Sequence, residues 1–267
     1  MARVIAIANQ KGGVGKTTTC VNLAASLAAT RHRVLLIDLD PQGNATMGSG
    51  VDKHTAERTG YEVLMGECTA ADAIVTVEDS AVDVLPGNAN LTAAEVELMN
   101  RDGRERALMN AIKPIQANYE YILIDCPPSL NILTLNALVA ADGVMIPMQC
   151  EYYALEGLSS LIQTIDDVRH TVNSRLKVEG LLRTMFDSRN NLGNDVSDQL
   201  TSHFGERVYR TIIPRNIRLA EAPSFGKPVL HHDKTSRGAL AYLALAGEIL
   251  RRDTAAARAT PAPAGAA

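Results

Sequence analysis

The chain has 267 residues, of which 46% are hydrophobic and 21% are charged, values typical of a globular protein that can bury a large core. No stretch approaches the roughly 18 uninterrupted apolar residues of a membrane-spanning helix, which excludes a transmembrane protein. The apolar run that ends before Asn9 is too short for a secretory signal. We therefore expect a cytoplasmic protein.

The net charge of −4 is unevenly distributed along the chain. Residues 169–237 contain 12 Lys and Arg against 7 Asp and Glu, a local charge of +5, while the remainder of the chain carries −9. This asymmetry allows an anionic partner to bind the C-terminal part.

The predicted elements alternate between short apolar runs and helical patterns, which is typical of βαβ units. Helical spacing of apolar residues predicts helices at 17–30, 131–141, 154–172, 194–204 and 236–252. Residues 43–80 predict loops and short helices. Strands are predicted at about 3–9, 33–39, 82–86, 121–125, 143–148, 178–186 and 207–213. The expected fold class is α/β, with a mainly parallel twisted sheet covered by helices on both faces.

One domain, residues 1–252, accounts for all of these elements. Residues 253–267 contain eight Ala and two Pro without an apolar face, which predicts a disordered tail.

A glycine-rich segment lies between the first predicted strand and the first predicted helix, which is the context that a phosphate-binding loop requires. Its backbone N–H groups can point at phosphate oxygens, and the helix N-terminus adds partial positive charge. Lys16 is placed to reach the β- and γ-phosphates, and the Thr17 hydroxyl to bind Mg²⁺. The segment consists of Lys11, Gly12, Gly13, Val14, Gly15, Lys16, Thr17 and Thr18.

Carboxylates follow two further apolar strands, at the sheet edge where an open parallel sheet binds its ligand. Asp125 ends the strand 121–125 and is predicted to hold Mg²⁺. Asp38 lies near the end of the strand 33–39, and Asp40 directly follows that strand. The sequence leaves two interpretations of Asp38 open. It supports the Mg²⁺ site without contacting the metal directly, or it caps the end of the strand.

The loop departs from the strict G-x-x-x-x-G-K-[ST] pattern, because Gln10 stands at the first glycine position and a second lysine, Lys11, follows it. It resembles the deviant Walker A motif, K-G-G-x-G-K-T, of the ParA/MinD superfamily of P-loop ATPases. The resemblance implies a P-loop NTPase fold that binds ATP and Mg²⁺. It also implies that Lys11 crosses a dimer interface to the partner's nucleotide and that Asp40 orients the attacking water, so that Lys11, Lys16 and Asp40 are the predicted catalytic residues.

The resemblance to ParA extends over about residues 2–250. The string from Ile212 to Pro228 is similar to the C-terminal signature of chromosomal ParA/Soj proteins, which implies that Pro214 and Asn216 contact the adenine. Arg189 and Arg218 match arginines with which ParA dimers bind DNA without reading its sequence. We find no recognition helix, so specific operator binding is not expected.

Two related classes of ATPase compete with ParA as interpretations. A MinD-like membrane-cycling regulator would need an amphipathic C-terminal helix, whereas residues 239–252 are apolar nearly all round. An iron-sulfur reductase of the nitrogenase type would need paired cysteines at a subunit junction, a role open only to Cys126 and Cys150. The four cysteines contain no C-x-x-C pair and predict buried thiols. The pair His231-His232 is predicted to be solvated, because adjacent side chains on an extended chain point apart.

The sequence therefore predicts a DNA-partitioning ATPase of ParA type, in a chromosome or plasmid system. ATP would join two protomers into a homodimer that binds non-specific double-stranded DNA, and hydrolysis would release it. The implied partner is a ParB-type centromere-binding protein that stimulates hydrolysis. The expected location is the cytoplasm, in association with the nucleoid and without membrane binding.

Overall fold

The computed structural model describes residues 2–151 and 154–259, with the side chains of 154–156 and 257–259 left out. Its strands form one seven-stranded sheet in the order β3-β4-β2-β5-β1-β6-β7, parallel except where β3 pairs antiparallel with β4. The mainly parallel sheet predicted from the sequence is confirmed. The strands are β1 Arg3–Ile7, β2 Val34–Asp38, β3 Val75–Val77, β4 Val82–Leu85, β5 Tyr121–Asp125, β6 Gly143–Met148 and β7 Lys177–Arg183.

Helices cover both faces of the sheet, as predicted. Short 3₁₀ turns occur at Arg104–Arg106, Gln116–Asn118, Gly205–Arg207 and Ala222–Phe225. In the described residues the α-helices are α1 Lys16–Ala29, α2 Asn44–Gly48, α3 Gly60–Met65, α4 Ala70–Ala73, α5 Leu91–Leu98, α6 Ala107–Ile112, α7 Ile132–Ala140, α8 Ala154–Thr171, α9 Asn191–Phe204, α10 Ile217–Glu221, α11 Val229–His232 and α12 Arg237–Ala259.

The core has two layers, one on each face of the sheet. Alternate residues of a strand point to opposite faces, so Val4 of β1 packs in one layer and Ile5 packs in the other. The central strands β1, β2 and β5 are buried on both faces, and they are accordingly apolar along almost their whole length. This arrangement holds their carboxyl ends in fixed positions beside each other.

The prediction of a strand at 207–213 is wrong. Only isolated bridges form there, Leu181 with Val208 and Phe186 with Pro214. Between the bridges, Tyr209 and Ile213 donate their N–H groups to the carbonyl oxygens of Leu181 and Arg183 in β7. Glu248 instead accepts the hydrogen bonds from the N–H groups of Arg210 and Thr211, at 2.9 and 2.8 Å. The segment therefore runs beside β7 and bonds to it at separate points, without forming a continuous strand.

Two further differences concern the edges of the fold. Strand β3 was not predicted, because three residues are too short a run to show alternation. Helix α12 continues to Ala259 and thus includes the first part of the segment predicted to be disordered, while residues 260–267 lie outside the described residues. Within the described chain, no helix is long and apolar enough to cross a membrane.

Candidate functional site

The glycine-rich loop lies at the carboxyl end of β1 and leads directly into α1. Gly13 and Gly15 have φ values of 73° and 86°, a left-handed conformation that glycine adopts at little cost. Gly15 is the N-cap of α1 and offers no side chain, so the first N–H groups of the helix stay free of a side-chain cap. These groups face the position that a phosphate would take.

Two residues far along the chain hold the loop in this shape. Thr184, directly after β7, donates its hydroxyl to the carbonyl oxygen of Val14 at 2.7 Å. Gln149 donates its side-chain N–H to the carbonyl oxygen of Gly13 at 3.4 Å. The sequence pattern does not reveal either contact, because the partners are more than a hundred residues apart.

Lys16 extends its ammonium group into the loop. The group donates a hydrogen bond to the carbonyl oxygen of Lys11 at 3.2 Å, and the residue is only 7% exposed. Burial lowers the pKa of Lys16, and the neighbouring Asp125 partly opposes this effect. A single carbonyl contact leaves further N–H donors of the ammonium available for phosphate oxygens.

Thr17 and Asp125 meet at the start of α1, as the prediction of a shared Mg²⁺ site requires. The Thr17 hydroxyl donates to Asp125 Oδ2 at 2.7 Å. The other oxygen, Asp125 Oδ1, is buried and has no hydrogen-bond partner among the described residues. Burial and the nearby Asp38 raise the pKa of Asp125 well above its usual value. An unpartnered carboxylate oxygen beside a hydroxyl is a donor set that suits Mg²⁺.

Asp38 is fully buried, and both of its carboxylate oxygens are engaged. Oδ2 accepts hydrogen bonds from the backbone N–H and the hydroxyl of Thr46, at 2.8 and 2.7 Å, and Oδ1 accepts one from the N–H of Asp40. The backbone of Gly87 passes so close that a Cβ there would lie 2.4 Å from the Asp38 carbonyl oxygen. Of the two interpretations left open by the sequence, these contacts favour the one in which Asp38 caps the end of the strand.

Asp40 lies at the rim of the site and is half-buried. Its Oδ1 accepts a hydrogen bond from the N–H of Gln42 at 2.9 Å. Burial and the Asp40 charge help to raise the pKa of Asp38 to about 6, although the Thr46 hydrogen bonds oppose this rise. Asp38 thus holds the loop that carries Asp40 through the N–H of Asp40 itself.

Lys11 forms an ion pair with a residue outside the glycine-rich loop. Its ammonium group pairs with Glu151 at 2.5 Å, and both side chains are about half exposed. The pairing with Glu151 could not be found from the sequence, because that residue follows β6 and belongs to no motif.

Pro214 and Asn216, the two residues predicted to contact adenine, come directly after the segment 207–213. Pro214 lines a surface cavity of about 840 Å³ together with Phe186. The Asn216 side-chain oxygen caps α10 by accepting hydrogen bonds from the N–H groups of Arg218 and Leu219. The cap fixes the direction of the Asn216 side chain and leaves its amide N–H groups as donors.

The two arginines predicted to bind DNA line different cavities, and both are paired with carboxylates. Arg189 binds Asp187 through two nitrogens, at 2.9 and 2.7 Å, which holds the pKa of Asp187 well below its usual range. Arg218 pairs with Glu221 at 2.8 Å and with Asp233 at 3.4 Å. These exposed pairs are weak, and a phosphate can compete with them.

Two further cations, Arg215 and Arg237, line the same cavity of about 840 Å³ that Arg189 and Pro214 line. Neither has a carboxylate partner within salt-bridge distance in the described part of the chain. Both belong to the positive segment of the sequence, but no motif singles out either of them. The positive surface beside Arg189 is therefore larger than predicted.

The competing interpretations of the sequence find little support in these contacts. Cys126 and Cys150 are buried, and burial raises the pKa of Cys150 to about 11, so neither thiol is placed at a surface junction. His231 and His232 lie in α11, where the His232 ring stacks on Phe225 at 4.7 Å. The prediction of two solvated histidines is thus wrong for His232, which is half-buried.

Comparison with known proteins first shows the class of protein to which the chain belongs. A family model described as "AAA domain" matches residues 2–178. The structure is similar to that of cobyrinic acid a,c-diamide synthase from Mycobacterium smegmatis with bound ADP and magnesium, with a TM-score of 0.84, 38% identity and coverage of 96% of this chain and 97% of that one. Together with the loop, this places the chain among the P-loop ATPases.

Two curated relatives then define the family. The chromosome partitioning protein ParA of Myxococcus xanthus is 52% identical over 254 residues, which cover 95% of this chain and 90% of that protein. The sporulation initiation inhibitor protein Soj of Bacillus subtilis is 51% identical over 249 residues, covering 93% and 98%. The chain belongs to the ParA/Soj family of chromosome-partitioning ATPases, which confirms the family predicted from its motifs.

The role of Asp38 as an organiser of the loop predicts a specific response to changes at Thr46. Thr46→Val removes the hydroxyl that donates to the buried carboxylate, so we expect the free energy of unfolding to fall by about 1–3 kcal/mol. Thr46→Ser keeps the hydroxyl and should cost much less. Urea denaturation of the nucleotide-free protein measures both, and equal losses would contradict the role assigned to this hydrogen bond.

Proposed function

We propose that this chain is an ATP-driven switch that partitions DNA. ATP and Mg²⁺ are its cofactors. The observation that carries the proposal is the buried, unpartnered Asp125 Oδ1 beside Thr17 and Lys16, because this set of groups fits a metal and a phosphate chain at the start of α1. The relatives named for chromosome partitioning supply the biological role.

Each predicted residue of the site has a part in hydrolysis. The loop N–H groups and Lys16 bind the phosphates, and Thr17 and Asp125 would hold Mg²⁺, which supplies positive charge at the phosphates when it is bound. Asp40 accepts a hydrogen bond from the attacking water and orients it. Lys11 leaves Glu151 and reaches the partner's nucleotide, where its charge offsets the charge that develops on the phosphate oxygens.

The cycle links this chemistry to DNA. Two protomers join face to face around ATP, so that their Arg189 and Arg218 surfaces act together on duplex DNA in a sequence-independent way. A ParB-type partner accelerates hydrolysis, the dimer separates and the DNA is released. The protein would act in the cytoplasm on nucleoid DNA, and the cargo is a chromosome or a plasmid.

The arrangement of α12 favours DNA over a membrane as the surface on which the protein cycles. Its apolar residues Tyr242 and Ala246 are buried in the core layer that includes α1, and the Tyr242 hydroxyl lies 3.1 Å from that of Thr19. A membrane-binding helix would need this face to be free. A synthase activity is also less well supported than partitioning, since the ParA and Soj relatives are 51–52% identical and the synthase is 38% identical.

Dimer formation and hydrolysis should respond differently to two substitutions. Asp40→Ala should still form a dimer with ATP but turn over at least tenfold more slowly, because the water is no longer oriented. Lys11→Ala should lose the dimer. Size-exclusion chromatography with and without ATP, paired with phosphate release, measures both properties.

Glu151→Gln is the matched control, because it breaks the same ion pair and leaves the lysine in place. This variant should dimerise at least as well as the wild type. A normal dimer with normal turnover in Lys11→Ala would refute the contact across the interface.

DNA binding should weaken uniformly when either arginine is reversed in charge. Arg189→Glu and Arg218→Glu should reduce affinity for all duplex sequences alike and flatten the log–log salt dependence by roughly 0.9 for each phosphate that the protein no longer neutralises. A salt titration with labelled random-sequence DNA and ATP provides the measurement. Arg33→Glu is the control, because Arg33 also pairs with an exposed carboxylate but precedes β2, at the other end of the sheet. Slopes equal to the wild-type slope in both variants would contradict the assignment.

A further inference from the structure

The guanidinium group of Arg189 is exposed, yet a carboxylate of the same protomer already binds it. The Arg189 side chain is 88% exposed, and its Nε and Nη2 atoms lie 2.9 and 2.7 Å from the two carboxylate oxygens of Asp187. This two-point contact is the geometry in which a guanidinium group also binds a phosphate. Asp187 therefore occupies the edge of the guanidinium group that a DNA phosphate would use.

Two carboxylates engage Arg218 in a similar way. Arg218 Nη1 lies 2.8 Å from Glu221 Oε2, and Arg218 Nε lies 3.4 Å from Asp233 Oδ2. Glu221 is the last residue of α10, whereas Asp233 directly follows α11, so two separate elements supply these charges. The His232 Nε2 atom lies 3.8 Å from the same oxygen of Glu221. The carboxylate of Glu221 thus lies between two basic side chains.

The surroundings of both arginines are otherwise basic. Arg189 lines the cavity of about 840 Å³ described above, and Arg218 lines a separate cavity of about 590 Å³. In the part of the chain that the structure describes, each cavity has one carboxylate in its lining, Asp187 in the first and Asp233 in the second. Without these charges, both surfaces would attract anions more strongly. The other basic side chains are Arg215 and Arg237 in the first cavity, and His231, His232 and Lys234 in the second.

A DNA phosphate that binds either arginine has to displace a carboxylate first. Exposed ion pairs of this kind are weak, so the competition lowers the affinity for DNA by about fivefold at most for each arginine. The displaced carboxylate also takes up a cation from solution, which reduces the net release of counterions when DNA binds. The pairing therefore weakens DNA binding by a single protomer and makes it less dependent on salt.

From these contacts, we propose that Asp187, Glu221 and Asp233 are internal competitors for DNA phosphates and keep the affinity of a single protomer for duplex DNA low. This inference rests on the proposed DNA-binding function and concerns its regulation. Two protomers joined by ATP overcome the competition, because the second protomer binds at a high effective concentration. When hydrolysis separates the dimer, the arginines of each protomer return to their own carboxylates, which favours release of the DNA.

The direct test is binding of labelled random-sequence duplex DNA by the nucleotide-free protein, measured by fluorescence anisotropy. Asp187→Asn combined with Glu221→Gln should raise the affinity about tenfold, the size expected for the loss of two exposed ion pairs. The log–log salt dependence should become steeper, since no displaced carboxylate takes up a cation. Glu221→Gln alone should raise the affinity about threefold, and it provides the test if the double variant does not fold.

Matched controls separate this competition from the general negative charge of the chain. Asp102→Asn combined with Glu206→Gln removes two exposed carboxylates that pair with neither arginine, and it should change the affinity less than twofold. The Asp187→Asn, Glu221→Gln pair should also bring no gain in a protein that already carries Arg189→Ala and Arg218→Ala. A purely structural loosening would change the affinity in that background as well.

The outcomes distinguish this inference from the proposed function. If the wild type binds DNA with ATP but the Asp187→Asn, Glu221→Gln variant shows no gain without ATP, the inference alone is overturned. An equal gain in the control variant or in the double-alanine background would overturn it too. If neither the wild type nor the variant binds duplex DNA in any nucleotide state, the proposed DNA-binding function fails together with the inference.

Discussion

The hydrogen bond from Thr17 to Asp125 joins the first turn of α1 to the end of β5, and the rest of the site depends on this junction. It ties the start of α1 to the edge of the sheet, and the other oxygen of Asp125 is buried with no hydrogen-bond partner among the described residues. Such an oxygen is costly to bury, and a bound cation would relieve that cost. On the proposed function, the buried oxygen lowers the stability of the nucleotide-free protein and raises its affinity for a metal ion.

The central part of the fold could be predicted because strands that are buried on both faces are apolar along almost their whole length. β1, β2 and β5 are buried on both faces and appear as apolar runs ending in Asn9, Asp38 and Asp125. The periphery could not be predicted in the same way. The segment 207–213 has the composition of a strand, yet Glu248, far along the chain, binds the N–H groups of Arg210 and Thr211, so the pairing with β7 is not continuous. Only the tertiary structure shows that competition.

The features of the site also divide into those that local sequence predicts and those that only the tertiary structure shows. Lys16, Thr17 and Asp125 could be placed from local sequence, since a loop between a strand and a helix has few possible geometries. The contacts of Lys11 with Glu151 and of Val14 with Thr184 could not, because no local pattern encodes a pairing of distant residues. The sequence motif also did not identify the partners of the two DNA-binding candidates: Arg189 pairs with Asp187, and Arg218 pairs with Glu221.

Calorimetric titration with ATP and Mg²⁺ tests the central claim that the loop captures a nucleotide. The wild type should bind, Lys16→Ala and Thr17→Ala should show no productive binding, and Thr17→Ser should retain it because the hydroxyl remains. Circular dichroism of each variant verifies that the fold is intact. Unchanged affinity in both alanine variants would contradict the account, since neither the lysine charge nor the threonine oxygen would then contribute to the site.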